Sequence, residues 1–235
     1  MDIVDARYLS SKIEYSHYGV YIKDTPTPIA HIHLIEGIKN INESYVNDHI
    51  DLLPSERRQR CMRYKNLSDR VSCILSYMLL KNTLESQYNV LLNEPFVYSE
   101  NQKPYLKNHN DIFFNISHTK NTVAVTVASF EIGIDVEEIK DIKPGLIDMV
   151  ASPKEKEIIN AACDKKRAFF RLWTMKESYA KAYSAAVASF LKKDICETGY
   201  VYIESDKYQM STYLGRYQEH EKKSEEYFEI RKLDQ

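Results

Sequence analysis

Carboxylates and cations recur in this 235-residue chain at spacings suited to holding a metal ion or an anion. The segment Gly133-Ile134-Asp135-Val136-Glu137 suits a β-strand, whose side chains alternate between two faces. Ile134 and Val136 then go to one face and Asp135 and Glu137 to the other, about 6–7 Å apart along the strand. Two carboxylates so placed repel each other, and nearby cations or water must offset that. A hard divalent cation such as Mg²⁺ suits the position, since it takes oxygen ligands and needs only a few from protein. Exposed strands often carry such alternation, so its weight here comes from a second segment.

That segment is Ala168 to Tyr183, which contains no Gly and no Pro. Ala168, Leu172, Met175, Tyr179 and Tyr183 recur at helical spacing and form an apolar stripe. Phe170, Trp173 and Thr174 widen it, and Glu177 and Lys181 lie one turn apart in line with Phe170 and Trp173. Glu four residues before Lys is a favourable helix pair worth roughly 0.2–0.5 kcal/mol. Either the two form an internal ion pair or they look into a polar site, because burying charge is costly unless it is paired or binds something.

Upstream, Pro54-Ser55-Glu56 opens a helix in which Arg57, Arg60 and Arg63 share a face. Guanidinium forks suit phosphate, although a solvated basic face has the same pattern. Ser68-Asp69 caps the next helix, whose core face is Val71, Ile74, Leu75, Met78 and Leu79. Ala30 to Ile35 is a strand, with His31 and His33 expected on a solvated face. Phe113 to Ile116, Val123 to Ala128 and Ile132 to Glu138 are strands joined by short turns, so antiparallel pairing is expected. Ser152-Pro153-Lys154-Glu155 is a strong helix start. Gly199 to Glu204 reads as strand, and His220 to Glu226 as a charged, exposed end. Residues 1–28 read as an extension that need not belong to the core fold.

The net charge of −2 gives no basic footprint for nucleic acid. The four cysteines lack metal spacing and read as reduced thiols of a cytoplasmic protein, and no apolar run is long enough to span a bilayer.

Taken together, Gly133-Ile134-Asp135-Val136-Glu137 and Trp173-Thr174-x-Lys176-Glu177-Ser178-x-x-Lys181 resemble the signature of the 4′-phosphopantetheinyl transferases. Phe114-Asn115-Ile116-Ser117-His118 and Lys103-Pro104 match that family's upstream elements, over roughly Ala30 to Leu191. The length is similar to that of the broad-range type. The resemblance implies an α/β (α+β) monomeric pseudo-dimer of two similar halves, each a small, mainly antiparallel sheet packed with a long helix. Residues 29–129 and 130–235 would be those halves, with the site between them.

It also implies transfer of phosphopantetheine from coenzyme A to a serine of an acyl or peptidyl carrier protein, releasing 3′,5′-ADP. Neither nucleic acid nor membrane is an expected partner. By position, Asp135, Glu137 and Glu177 would hold Mg²⁺, or Mn²⁺ in its place, with Glu177 and Lys181 catalytic. Lys181, Ser117, His118 and Lys103 would contact coenzyme A, and Arg57 and Arg60 its 3′-phosphate. The serine needs a base, either Glu177 or a metal-bound water.

Three departures stand out. The family's two glycines after the Lys181 position are Ser184 and Ala186 here, which predicts a helix running on past Ala186 towards Leu191. An arginine often found after Asp69 is Ser72, with Arg70 nearby, and the C-terminal strands look short. The lost glycines support an alternative, a homologue that grips coenzyme A or a carrier without efficient transfer.

Overall fold

The computed structural model describes residues 13–92, 95–101, 103–195, 198–215 and 228–233. Cys196 and the charged segment 220–226 lie outside the described residues. In chain order, β1 (Glu14–Ile22) and β2 (Ala30–Glu36) precede helices α1 (Glu43–His49), α2 (Ser55–Arg63) and α3 (Leu67–Gln87). A short pair, β3 (Val97–Tyr98) and β4 (Pro104–Tyr105), leads to β5 (Phe113–His118), β6 (Thr122–Ala128) and β7 (Gly133–Glu138). Then come α4 (Leu146–Val150), α5 (Pro153–Ala161), α6 (Lys165–Ala182), β8 (Tyr200–Glu204), β9 (Tyr208–Tyr213) and β10 (Phe228–Leu233).

Among the described residues, two larger antiparallel sheets form beside the β3–β4 pair, one ordered β10-β1-β2-β6-β5 and one ordered β7-β9-β8. Strand alternation sorts their side chains into layers. Val123, Val125 and Val127 face α3, where they bury Ile74, Leu75 and Leu79. Ile32, Leu34 and Ala124 face the other way, onto Ile134, Val136 and Met210 of the smaller sheet. The far face of that smaller sheet carries α6, so each sheet has its own long helix, as expected of two similar halves. At the seam, the Ser117 hydroxyl accepts from the Val136 N–H (3.3 Å) and the Asn115 side chain from the Ile134 N–H (3.4 Å).

Several expectations need correction. Residues 14–22 are no appendage: β1 lies between β10 and β2, with Val20 fully buried. Its polar Ser16 and His17 and its small Gly19 dilute the apolar alternation that would have marked it as a strand. The chain also recrosses the expected 129/130 boundary, because β10 pairs with β1. His31 and His33 are buried rather than solvated. His33 accepts or donates to Thr83 of α3 at 2.6 Å and to Tyr15 at 2.8 Å, while His17 stacks on it at 4.1 Å. Asn66 precedes α3, so Ser68 and Asp69 fall within its first turn.

The predicted extension of α6 past Ala186 does not occur. The helix ends at Ala182, and Ser184 takes the left-handed conformation (φ 54°). The Ala185 N–H then reaches the Ala180 carbonyl (2.8 Å) and the Ser184 N–H the Lys181 carbonyl (3.4 Å), a Schellman closure built without glycine. Lys103 donates to the Ala182 carbonyl (2.6 Å) and Asn101 to that of Ser184 (2.5 Å). A hydrogen bond involving a charged group contributes about 1.5–3 kcal/mol, more than the helix propensity that two alanines add. Val187–Phe190 follows as a separate short 3-10 turn.

Candidate active site

The site begins with a close approach of backbone to backbone. A Cβ on Gly133 would lie 1.9 Å from the Ser178 carbonyl oxygen and 2.6 Å from the Ala182 nitrogen. Glycine alone lets α6 lie this close to β7. Glu177 and Lys181 thereby share the strand face on which Asp135 and Glu137 project.

Asp135 is buried, only 4% exposed. Its Oδ1 accepts from Lys181 Nζ (2.5 Å) and from Ser117 Oγ (2.8 Å), and Lys181 also donates to Ser117 Oγ (3.2 Å). Its Oδ2 is buried without a hydrogen-bond partner. The local alternative, a Glu177–Lys181 pair, gives way because a buried carboxylate needs a cation more than a half-exposed one does. Glu137 accepts from Trp173 Nε1 (3.2 Å) and lies 3.8 Å from Lys140 Nζ. Burial, then the charge of Asp135, raise the Glu137 pKa above the usual carboxylate range, against the pull of Lys140. Burial likewise raises Glu177; Lys181 opposes this, and the charges of Asp135 and Glu137 add to it.

Among the described residues, no three His, Cys, Asp or Glu groups converge closely enough to hold a metal ion as they stand. One oxygen of Asp135 is already committed to Lys181. The partnerless Asp135 Oδ2 and the two carboxyls that resist ionising fit a hard cation that brings further oxygens with it. Mg²⁺ is commonly bound in this way, through one or two carboxylates plus substrate phosphates.

The outer residues are less convergent. His118 stands exposed at the end of β5. Lys103 is turned to the end of α6, and burial lowers its pKa to about 8 while Glu131 pulls it back. Arg57 and Arg60 lie on α2, which packs on α3, and bond to none of the carboxylates. Arg57 donates to Ser76 Oγ (2.9 Å) and the Cys73 carbonyl (3.3 Å), and Arg60 to Tyr64 (3.3 Å). Arg70 cannot replace the arginine missing at Ser72, since Glu43 holds it through both of its terminal nitrogens.

Lys176 was not singled out by spacing, yet it is fully buried. Its ammonium lies 2.9 Å from Glu155 and donates to the carbonyls of Phe190 (3.1 Å) and Lys193 (2.6 Å). The signals in the sequence were its place among the apolar positions of α6 and in the Trp173-Thr174-x-Lys176-Glu177 motif, neither of which gave it a role. A cavity of about 500 Å³ opens on the opposite side of α6, among Ile158, Leu172, Met175 and Tyr202. None of Asp135, Glu137 or Glu177 lines it.

Two paired sheets, each backed by a long helix, with carboxylates and an ammonium gathered at their seam, define a two-half α/β protein suited to phosphate and metal chemistry. Comparison with known families is consistent with this. The "4'-phosphopantetheinyl transferase, N-terminal" model matches residues 42–130, and the "4'-phosphopantetheinyl transferase superfamily" model matches residues 131–227. The chain belongs to the 4′-phosphopantetheinyl transferase superfamily. It is 31% identical over 131 residues to the transferase gsp of Aneurinibacillus migulanus, covering 54% of each chain. To Sfp of Bacillus subtilis (strain 168) it is 29% identical over 135 residues, 56% of this chain and 60% of the relative. To ffp of Bacillus subtilis it is 27% identical over 178 residues, 72% and 78% of the two chains. The chain thus spans a little over half the length of several of the curated relatives it matches. No helix among the described residues is long and apolar enough to cross a membrane.

Proposed function

We propose that the chain transfers 4′-phosphopantetheine from coenzyme A to a serine of an acyl or peptidyl carrier protein, with Mg²⁺, releasing 3′,5′-ADP. The observation that carries this is the buried Asp135, paired through Oδ1 with the partly exposed Lys181 and with Oδ2 free, beside Glu137 and Glu177. Phosphoryl transfer asks mainly for positioning and charge neutralisation, which such a cluster supplies.

Asp135 Oδ2, Glu137 and Glu177 would hold the cation, which when bound neutralises pyrophosphate oxygens. Ser117 and Lys181 fix Asp135 through Oδ1, so that Oδ2 keeps its direction. The Lys181 ammonium, half-exposed, steadies the charge gathering on the departing 3′,5′-ADP. Arg57 and Arg60 receive the 3′-phosphate, and Lys103 and His118 lie along the coenzyme. As the serine oxygen bonds to phosphorus and the bridging P–O bond breaks, the hydroxyl proton passes to a Glu177 carboxylate oxygen. Its raised pKa makes Glu177 a better base than an ordinary carboxylate.

A homologue without turnover drew its support from the missing glycines. With Ser184 making the left-handed turn itself, that support is gone.

Incubating the full chain with coenzyme A, Mg²⁺ and several apo carrier proteins should add the phosphopantetheine mass to a carrier. Asp135→Asn should reduce the rate about 100-fold or more while the variant still folds, as circular dichroism and a cooperative melt would show, in keeping with the loss of a key electrostatic group. Retention of coenzyme A with no mass gain on any carrier, or a fully active Asp135→Asn, would overturn the proposal.

A further inference from the structure

The line of α6 that carries Glu177 and Lys181 begins one turn before Glu177, at Trp173. The three residues share a face at four-residue steps and span about 12 Å of helix. Facing them on β7, Asp135 and Glu137 span about 6–7 Å of strand. The outer two members of the helix line each hold one of the strand's carboxylates. Lys181 Nζ donates to Asp135 Oδ1 (2.5 Å), and Trp173 Nε1 donates to Glu137 Oε1 (3.2 Å). Glu177 stands between these two contacts and, among the described residues, has neither a hydrogen bond nor an ion pair of its own.

In the proposed transfer Lys181 has a role and Trp173 has none. We propose that Trp173 is a positioning residue, whose indole N–H holds Glu137 by Oε1 and so turns Oε2 towards the divalent cation. This inference rests on the metal-dependent reading of the site.

The geometry around Glu137 supports it. The indole nitrogen is a donor only, carried on a rigid ring. That ring packs against Val150, Ile159, Phe169 and Leu172, so it cannot swing away without breaking an apolar cluster. The other group beside Glu137 is Lys140, whose ammonium lies 3.8 Å from Oε2 and whose side chain is 64% exposed. That distance is too long for a hydrogen bond, and an exposed ion pair gains little by staying closed. Lys140 can therefore give way to a metal ion at Oε2 while the Trp173 bond, made to the other oxygen, persists. Asp135 has the same arrangement, with Oδ1 taken by Lys181 and Ser117 and Oδ2 left open. Carboxylates that ligate metals are commonly oriented by such a further hydrogen bond, and its loss weakens binding about 10- to 100-fold.

Packing alone would ask only for a large apolar ring at position 173. Trp173→Phe keeps a ring and loses the N–H. Replacing Trp173 by benzothienylalanine through stop-codon suppression goes further, since it keeps the whole bicycle and exchanges only the N–H for sulfur.

The test uses the full-length protein saturated with coenzyme A and titrated with MgCl₂ by calorimetry. Trp173 is the chain's single tryptophan, so its emission reports on this hydrogen bond with no other indole to mask it. In the parent, Mg²⁺ should change that emission along a saturable curve with the calorimetric midpoint. Both replacements should weaken Mg²⁺ about tenfold or more. Both should raise the Mg²⁺ needed for half-maximal transfer by the same factor, with the rate at saturating Mg²⁺ within about twofold of the parent. A parent that takes up no Mg²⁺ overturns the metal reading of the site and the part of Trp173 in it together. If the parent binds Mg²⁺ and the benzothienyl protein binds it equally well, the metal reading stands and the positioning role is overturned, whatever Trp173→Phe does. A benzothienyl protein that keeps its Mg²⁺ affinity but loses its maximal rate would place Trp173 on the substrate instead. Emission unmoved by Mg²⁺ that calorimetry shows to bind would likewise overturn the role.

Discussion

Lys176→Met distinguishes a clamp from a catalytic group one residue away from Glu177. Met fills nearly the volume of the lysine stem, so the cost is electrostatic. Glu155 would lose its cation but keep the N–H groups of Ser152 (2.8 Å) and Ile195 (3.1 Å), while the Phe190 and Lys193 carbonyls lose a donor. Breaking a buried pair by removing one partner costs about 3–5 kcal/mol, and the two remaining donors to Glu155 place this variant near the lower end. In a chain of 235 residues each kcal/mol shifts Tm by about 2–4 °C. A fall of about 6–12 °C is expected by calorimetry. Glu155→Leu should cost more, since it strands a fully buried ammonium with carbonyls alone. The double variant Lys176→Met/Glu155→Leu should recover much of the loss, as no unpaired charge remains. The clamp is refuted if Lys176→Met leaves Tm within about 2 °C of the parent while abolishing transfer. Lys176 would then act on substrate.

The remaining predictions probe the frame and charge of the site. Gly133→Ala forces a methyl into the Ser178 carbonyl and should cost about 3 kcal/mol or more; a denaturant midpoint equal to the parent would deny the close approach of β7 and α6. Ser184→Gly should gain about 1 kcal/mol by relieving a left-handed serine, and a loss in the same titration would mean that the hydroxyl has a use. Glu137 and Glu177 have raised pKa values in the fold, so their contribution is most favourable below the unfolded carboxylate range and is lost as pH climbs through the folded values. If Mg²⁺ with coenzyme A binds as proposed, it takes the ionised forms and should raise Tm more near pH 8 than near pH 5; equal increments would count against carboxylate ligation.

Much of the placement of the candidate residues was legible because it rests on local periodicity. Strand alternation put Asp135 and Glu137 on one face, helical spacing put Glu177 and Lys181 one turn apart, and the Ser152 capping box formed as written. What escaped depends on partners distant in sequence. Lys181 joins Asp135 rather than Glu177 because β7 runs beneath α6. His31 and His33 are buried because His17, Tyr15 and Thr83 converge on them from β1 and α3. The end of α6 was misjudged from propensity, which is a small term beside the carbonyls that Lys103 and Asn101 satisfy.

Those two contacts also explain why α6 can serve both halves of the molecule. The C-terminal end of a helix carries partial negative charge on its unpaired carbonyls, and cations are favourable there. Lys103 comes from the loop ahead of β4, in the half built around α3, and its ammonium docks on Ala182, one residue after Lys181. Lys181 itself crosses to Asp135 and Ser117, a strand of each half. The same turn of helix is thus tied to β5, to β7 and to the β3–β4 loop. A shift between the halves would have to break charged contacts at the position where Lys181 meets Asp135. The resulting ties hold Asp135 Oδ2 aimed at one point, as charge neutralisation in the proposed phosphoryl transfer would require.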